Sequence, residues 1–442
     1  MRLGLPRWRE ERPPAIRDPR LWAGPAAGLA LGLGWYASES LRHRREGAFG
    51  YQPVGGVDPA SAGFMRAAEA LTGHPISEGS FAEPLINGDR IFPALLDVIR
   101  GAERTLCLET YVYWKGEIAA EVAAAICERA RAGVECKVIV DALGGAQMER
   151  GLLDEMDDAG AVVCRFRPLR PYALRRLTHR THRRLLIADG RVGMTGGVGI
   201  AGQWEGDAAG PDEWRDTHLR VTGPVVRGLL GAFAEHWLEA TGEVLAGEGY
   251  LPDLEPIPGG GPVQLVRSNA GVGDTNTEAI YYLAIASAQR SLDLCAAYFV
   301  PRPAFTEALC DAASRGVEVR VLAGGPHIDK GVVRIAGRAA YDELLEAGVR
   351  IFEYQPTMLH AKSMAVDGCW ATVGTMNFDN RSFQLHDEVT LSVWGEEFAA
   401  VIGAGFETDL ERSEEIDAER WAARPLRARL AEGATTFIRR EL

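Results

Sequence analysis

One nine-residue pattern occurs twice in this 442-residue chain, and it restricts the fold more than any other feature. His182-Arg183-Arg184-Leu185-Leu186-Ile187-Ala188-Asp189-Gly190 returns 178 residues later as His360-Ala361-Lys362-Ser363-Met364-Ala365-Val366-Asp367-Gly368. Of nine histidines, only these two carry a basic residue two places on and an Asp seven places on. Read as a β-strand, each copy puts His and cation on one side and Asp on the other. A nucleophile and a cation then share a wall, and they do so twice.

The surrounding chain repeats with the motif. Leu106-Cys107-Leu108-Glu109-Thr110-Tyr111 is matched by Leu292 to Tyr298, and Arg131-Ala132-Gly133-Val134 by Ser314-Arg315-Gly316-Val317. Leu153 to Val163 is matched by Tyr341 to Ile351. Each block reads as a helix, a Gly cap and a β-branched strand. Four blocks in one order, offset by 178 to 188 residues, indicate a duplicated β/α unit rather than a solenoid. The expected fold is α/β: two duplicated lobes, mixed sheets flanked by helices, a pseudo-two-fold axis, and the active site between them. The expected division is a basic arm at 1–46, a Gly/Pro-punctuated lead-in at 47–91, a first lobe at 92–246, a linker at 247–261, a second lobe at 262–413 and a charged helical tail at 414–442.

Charge is unevenly spread. The net charge of −13 argues against a non-specific nucleic-acid binder, which needs a basic field. Yet residues 1–45 hold nine Arg against four acids, around an uncharged stretch from Leu21 to Ala37. Seventeen residues are short for a span, which needs ~20, but Trp35, Tyr36 and the flanking arginines suit a bilayer interface. A disordered or exported leader is the competing expectation for the arm. The seven cysteines form no C-x-x-C pair and read as reduced core residues of a cytosol-facing protein.

Two His–cation pairs in symmetric halves suit one imidazole attacking an electrophile while the other protonates the leaving group. Arg184 and Lys362 suit an anionic electrophile with several oxygens, a phosphodiester. No residue spacing suggests a metal site, and no cofactor is expected. Each imidazole needs an acceptor on its far nitrogen. Asp189 and Asp367 point the wrong way and are expected to form turns before Gly190 and Gly368. The expected acceptors lie further along the same half: Asp216 for His182 and Glu388 for His360. Between them stand Gly-marked turns, Gly196-Gly197-Val198-Gly199 and Gly374-Thr375-Met376-Asn377, expected to let backbone and Asn377 approach a phosphate. His43, His74, His236 and His327 read as surface or packing residues. His179, His218 and His386 lie near the motifs, and Tyr111 to Trp114 and Tyr298 to Pro301 end equivalent strands.

The duplicated H-x-K-x4-D pattern, followed by a Gly-x-x-Asn turn and a carboxylate, resembles the phospholipase D superfamily. Tyr298-Phe299-Val300-Pro301, Glu353-Tyr354-Gln355-Pro356, Leu359-His360-Ala361-Lys362 and Asn377-Phe378-Asp379-Asn380-Arg381-Ser382-Phe383 are similar to its bacterial cardiolipin synthase branch, from about Pro93 to Leu410. The resemblance implies metal-independent phosphatidyl transfer through a phospho-His intermediate, with His182 as nucleophile and His360 as acid and base. It implies phospholipid substrates, phosphatidylglycerol above all, with glycerol released, at the cytoplasmic face of a bacterial inner membrane. Two departures stand out: Arg184 replaces the family's Lys, and Gly199 stands where the second half has Asn377. Many relatives carry two membrane spans, and this chain has at most one marginal one. A hydrolase of the same fold using water, on phospholipid or less readily nucleic acid, is the competing expectation; a non-catalytic lipid binder is the third.

Overall fold

The computed structural model describes residues 56–168, 178–270 and 274–435. The basic arm and its 21–37 stretch lie outside the described residues, as do 436–442 of the tail. No helix among the described residues is long and apolar enough to cross a membrane.

Sixteen strands are described. The first half contributes β1 (Ile76–Ile86), β2 (Thr105–Thr110), β3 (Glu135–Asp141), β4 (Val162–Phe166), β5 (Arg180–Thr181), β6 (Leu185–Ala188), β7 (Val192–Gly196) and β8 (Thr217–Thr222). The second contributes β9 (Gly261–Ser268), β10 (Ser291–Ala296), β11 (Glu318–Gly324), β12 (Arg350–Tyr354), β13 (Lys362–Val366), β14 (Trp370–Gly374), β15 (His386–Trp394) and β16 (Ser413–Glu415). They form one continuous sheet in the order β4-β3-β2-β6-β7-β8-β1-β9-β15-β14-β13-β10-β11-β12-β16, with β5 paired to β15. Apart from β5 and the added edge strand β16, the order reads the same from either end, so the pseudo-dyad lies between β1 and β9.

That symmetry corrects the expected boundaries. The described part of the 47–91 segment, from residue 56 on, is not a lead-in: β1 is a central strand, the counterpart of β9, and pairs antiparallel with both β8 and β9. Its character is hidden because Gly79 and Pro84 interrupt the alternation, and the register shifts between Ser77 and Ser80. Helix Ala62–Thr72 precedes it and buries Phe64 and Ala68 in the second half's core, beside Val266, Ile280 and Trp370. The linker is packed as well, since Pro256 sits so close to Gly79 that a β-carbon there would lie 2.5 Å away. The described part of the charged tail is docked: Ser413–Glu415 pairs with β12, and the Trp421 and Tyr341 ring centroids lie 5.2 Å apart at a tilt of 41°.

The repeated βα units form for the reasons the sequence suggests. Helix Glu117–Arg131 is Ala-rich and buries Ile118, Val122 and Ile126 on one face. Gly133, and Gly316 at the same place in the second half, take left-handed φ values of 94° and 91° and turn each helix into its parallel strand. On the opposite face of the sheet, helices Val226–Thr241 and Glu396–Leu410 share a core in which Leu229 and Phe233 meet Leu391, Val393 and Ile402. The two halves therefore do not own separable cores.

Candidate active site

The strands of the two motifs begin late. β6 starts at Leu185 and β13 at Lys362, so each His stands in the segment leading into its strand. The cation still folds back onto its imidazole. Arg184 donates from one amino group to the His182 carbonyl at 2.7 Å and from the other to His182 Nε2 at 3.1 Å. Lys362 Nζ lies within 3.1 Å of both ring nitrogens of His360 and donates to the His360 carbonyl. A planar fork and a point charge thus occupy equivalent places.

The acceptors differ from expectation. His182 Nδ1 donates to Glu388, 2.9 and 3.0 Å from its two carboxylate oxygens, and His360 Nδ1 donates to Asp216 Oδ2 at 2.7 Å. Each half lends its carboxylate to the other half's histidine. The backbone enforces the exchange, because the His182 N–H donates to Asp387 O at 2.9 Å and the His360 N–H to Arg215 O at 2.7 Å. Glu388 and Asp216 follow those carbonyls directly in the chain.

Asp189 and Asp367 are at the far ends of the motif strands, in left-handed turns with φ of 53° and 54°. Each carboxylate clamps the start of the neighbouring strand, Asp189 through the N–H groups of Glu103, Arg104 and Thr105 and Asp367 through those of Gln289, Arg290 and Ser291.

The glycine turns also serve the protein itself. A β-carbon on Gly197 would lie 2.1 Å from the Asp216 carboxylate, one on Gly196 2.6 Å from Thr217 O, and one on Gly374 2.4 Å from Thr390 Oγ1. What the missing side chains admit at all three positions is the acceptor strand, not a ligand. Thr375, the counterpart of Gly197, donates its hydroxyl to Glu388. Asn377 is buried with Oδ1 unpaired. Gly199 replaces that Asn because Trp204 packs against it, and the Trp204 indole donates to Asp216 at 2.8 Å.

Further neighbours stand around the rings: His386 and Tyr111, which the sequence places near a motif and at a strand end, and Trp214 and His236, which no spacing marks. The Trp214 and His386 rings lie 5.5 Å from His360 and 5.2 Å from His182, each two residues before an acceptor. Tyr111 lies 5.3 Å from the His182 ring. His236 is not ordinary packing: it donates to Glu109 at 2.6 Å, with its other nitrogen 3.4 Å from Asp387. At the matching place Arg215 pairs with Asp409 at 2.8 Å, so the second half carries the same support with its charges reversed.

Burial and then Arg184 push His182 well below the usual histidine range, and burial and then Lys362 push His360 down to about 4. Both rings are neutral, with the Nε2 lone pair facing Arg184 in the first half and Lys362 in the second. Burial lowers Lys362 to about 7. Burial would raise Glu388 and Asp216, but His182 beside the first and His360 beside the second outweigh it and hold both carboxyls low. Donor atoms of His182, His386 and Glu388 lie within 4.8 Å of one another, the only potential metal trio among the described residues. The chemistry of the set does not fit a cation: Glu388 is already taken by His182 and Thr375, and the Arg184 guanidinium stands at His182 Nε2.

A family model described as "Cardiolipin synthase, PLD-like domain" matches residues 281–410. A cardiolipin synthase of Geobacillus kaustophilus is 35% identical over 385 residues, 86% of this chain and 76% of that one. Cardiolipin synthase 2 of Bacillus anthracis is 34% identical over 380 residues, 85% and 73% of the two chains. The chain belongs to the cardiolipin synthase family. Within this family's phospholipase D-like frame, the crystal structure of phosphatidylserine synthase from Haemophilus influenzae superposes with a TM-score of 0.61 at 13% identity, covering 86% of this chain and all of that one. Polyphosphate kinase from Porphyromonas gingivalis gives 0.52 at 12% identity over 88% of this chain and 57% of that one, a likeness of fold alone. Membership of this family implies phospholipid substrates.

Proposed function

We propose that this cardiolipin synthase family member moves a phosphatidyl group from one phosphatidylglycerol to another, with His182 as nucleophile and His360 as acid and then base. The observation that carries the reading is the pair of crossed contacts, which leaves a neutral ring nitrogen beside a cation in each half. His182 Nε2 attacks phosphorus, the P–O bond to glycerol breaks, and His360, whose ring takes up a proton from solvent as the anionic phosphodiester binds, delivers that proton to the departing oxygen. The second lipid's hydroxyl then loses its proton to His360 and attacks phosphorus, and the P–N bond breaks to give cardiolipin and free His182. Arg184 and Lys362 offset the charge gathering on the phosphoryl oxygens. Asn377, buried with Oδ1 unpaired in the turn after the second motif, is the residue assigned to orient the acceptor hydroxyl.

The purified protein with phosphatidylglycerol vesicles and a chelator is expected to form cardiolipin and glycerol in equal amounts. Phosphatidic acid as the sole product would instead mean that water is the acceptor. His182→Ala should abolish the covalent intermediate, whereas His360→Ala should still be labelled by a substrate with a good leaving group. The reading places the protein on the cytoplasmic face of a bacterial inner membrane, held in part by the arm. Deleting residues 1–46 should lower membrane partitioning and leave the fold intact.

A further inference from the structure

Helix Gly331–Arg338 packs on the cluster that carries Trp214, whose ring lies 5.5 Å from His360, and its outer face is apolar. Inward, Val333 and Ala336 pack on Tyr298, Val300 and Met358, with Trp214 against the same cluster. The seat is tight, since a β-carbon on Gly337 would lie 2.1 Å from Phe299 O. Outward, Val332 and Ile335 share one face and are 43% and 39% exposed. The helix's own cations turn away, with Arg334 and Arg338 both donating to Glu353. Lys330, just before the helix, is exposed with Nζ 4.9 Å over the Tyr298 ring, whose hydroxyl donates to Asp329. The helix packed beside it, Leu426–Thr435, adds Leu426 and Leu430, one turn apart and 69% and 65% exposed. Across the pseudo-dyad, Leu143 is 42% exposed beside Gly144, which packs against Tyr111, so the His182 side carries an apolar prong too.

We propose that Val332 and Ile335, with Lys330 at their edge, dip into the anionic lipid surface and set the site over a head group. The inference rests on the phosphatidyl-transfer reading, which places the reacting phosphodiester at a bilayer surface. Exposed branched side chains beside a lysine are what a lipid interface accepts, apolar groups below the head groups and the ammonium among their phosphates. The site histidines are only 6% and 5% exposed, so the lipid must be brought to them rather than met in solution.

Two measurements test it. In the full-length wild-type chain, hydrogen exchange across residues 330–339 should slow when phosphatidylglycerol vesicles are added and not when phosphatidylcholine vesicles are. The same protection appearing without lipid, rising with protein concentration, would overturn the inference in favour of a second copy on this face. Protection absent under both conditions would overturn it outright. In the double variant Val332→Gln and Ile335→Gln, turnover of vesicle phosphatidylglycerol should fall about tenfold or more, because each apolar side chain withheld from lipid weakens partitioning by roughly that factor. Turnover of a short-chain phosphatidylglycerol below its micelle concentration should be unchanged. Equal loss on both substrates, or loss on neither, would overturn the inference. A wild-type chain that makes no cardiolipin from either substrate would defeat the functional reading while leaving the exchange result to stand on its own.

Discussion

His182 Nδ1 donates to Glu388, a residue 206 positions further along and in the opposite half of the sheet. With the reciprocal bond from His360 to Asp216, neither half contains a working His–carboxylate pair of its own. The two halves share one candidate site as they share a core.

The crossed pairing separates the two carboxylates experimentally. Glu388→Gln takes the acceptor from the proposed nucleophile, so covalent labelling should fall by two orders of magnitude or more, the scale on which loss of a histidine's carboxylate acts elsewhere. Asp216→Asn should leave labelling by a substrate with a good leaving group nearly intact while overall turnover collapses. Pairing within each half would give the reverse pattern.

Gly197 is a second point of test. A β-carbon there meets Asp216 at 2.1 Å, whereas one on Gly210 meets nothing within 4 Å. Gly197→Ala should therefore destabilise the fold by about 1–3 kcal/mol through overpacking and displace Asp216 from His360. Calorimetry should show a clear fall in Tm for Gly197→Ala and little change for Gly210→Ala, and activity should follow the same order.

The site's residue types were legible because the motif names them twice at a fixed offset. Which carboxylate serves which histidine was not, because that depends on β8 and β15 flanking the central pair β1 and β9, a relation no spacing records. β1 itself was obscured by Gly79 and Pro84. The support around His236 rests on Glu109, 127 residues away, so no local pattern could reveal it. One signal was present and unread: Gly199 in place of Asn marks the room that the Trp204 ring occupies on its way to Asp216.

Lys362 supplies a pH dependence with a definite sign. Burial lowers it to about 7, so above pH 7 the empty site holds it increasingly neutral. An anion on the site favours the ammonium, and binding then takes up a proton. Inhibition by sulfate, which keeps its charge across this range, should weaken by up to tenfold per pH unit from pH 7 to 9 and change little below 7. Lys362→Arg should flatten the profile, since a guanidinium stays charged throughout.

Arg184 is the departure from the family pattern that bears most directly on chemistry. Its guanidinium spans the His182 carbonyl and Nε2, the same two groups that Lys362 Nζ reaches on His360. A lysine at 184 can satisfy that pair with one ammonium, but the buried Nε of Arg184, which has no partner, would go with the substitution. If that Nε is held for a phosphoryl oxygen, Arg184→Lys should raise KM several-fold and keep kcat within about tenfold. Arg184→Gln removes the charge that faces the developing negative charge, and the loss of one such group elsewhere costs about 10²–10³ in kcat. Steady-state kinetics on both variants distinguish the cases: equal kcat losses would mean that the fork geometry, and not the charge, is what the reaction requires.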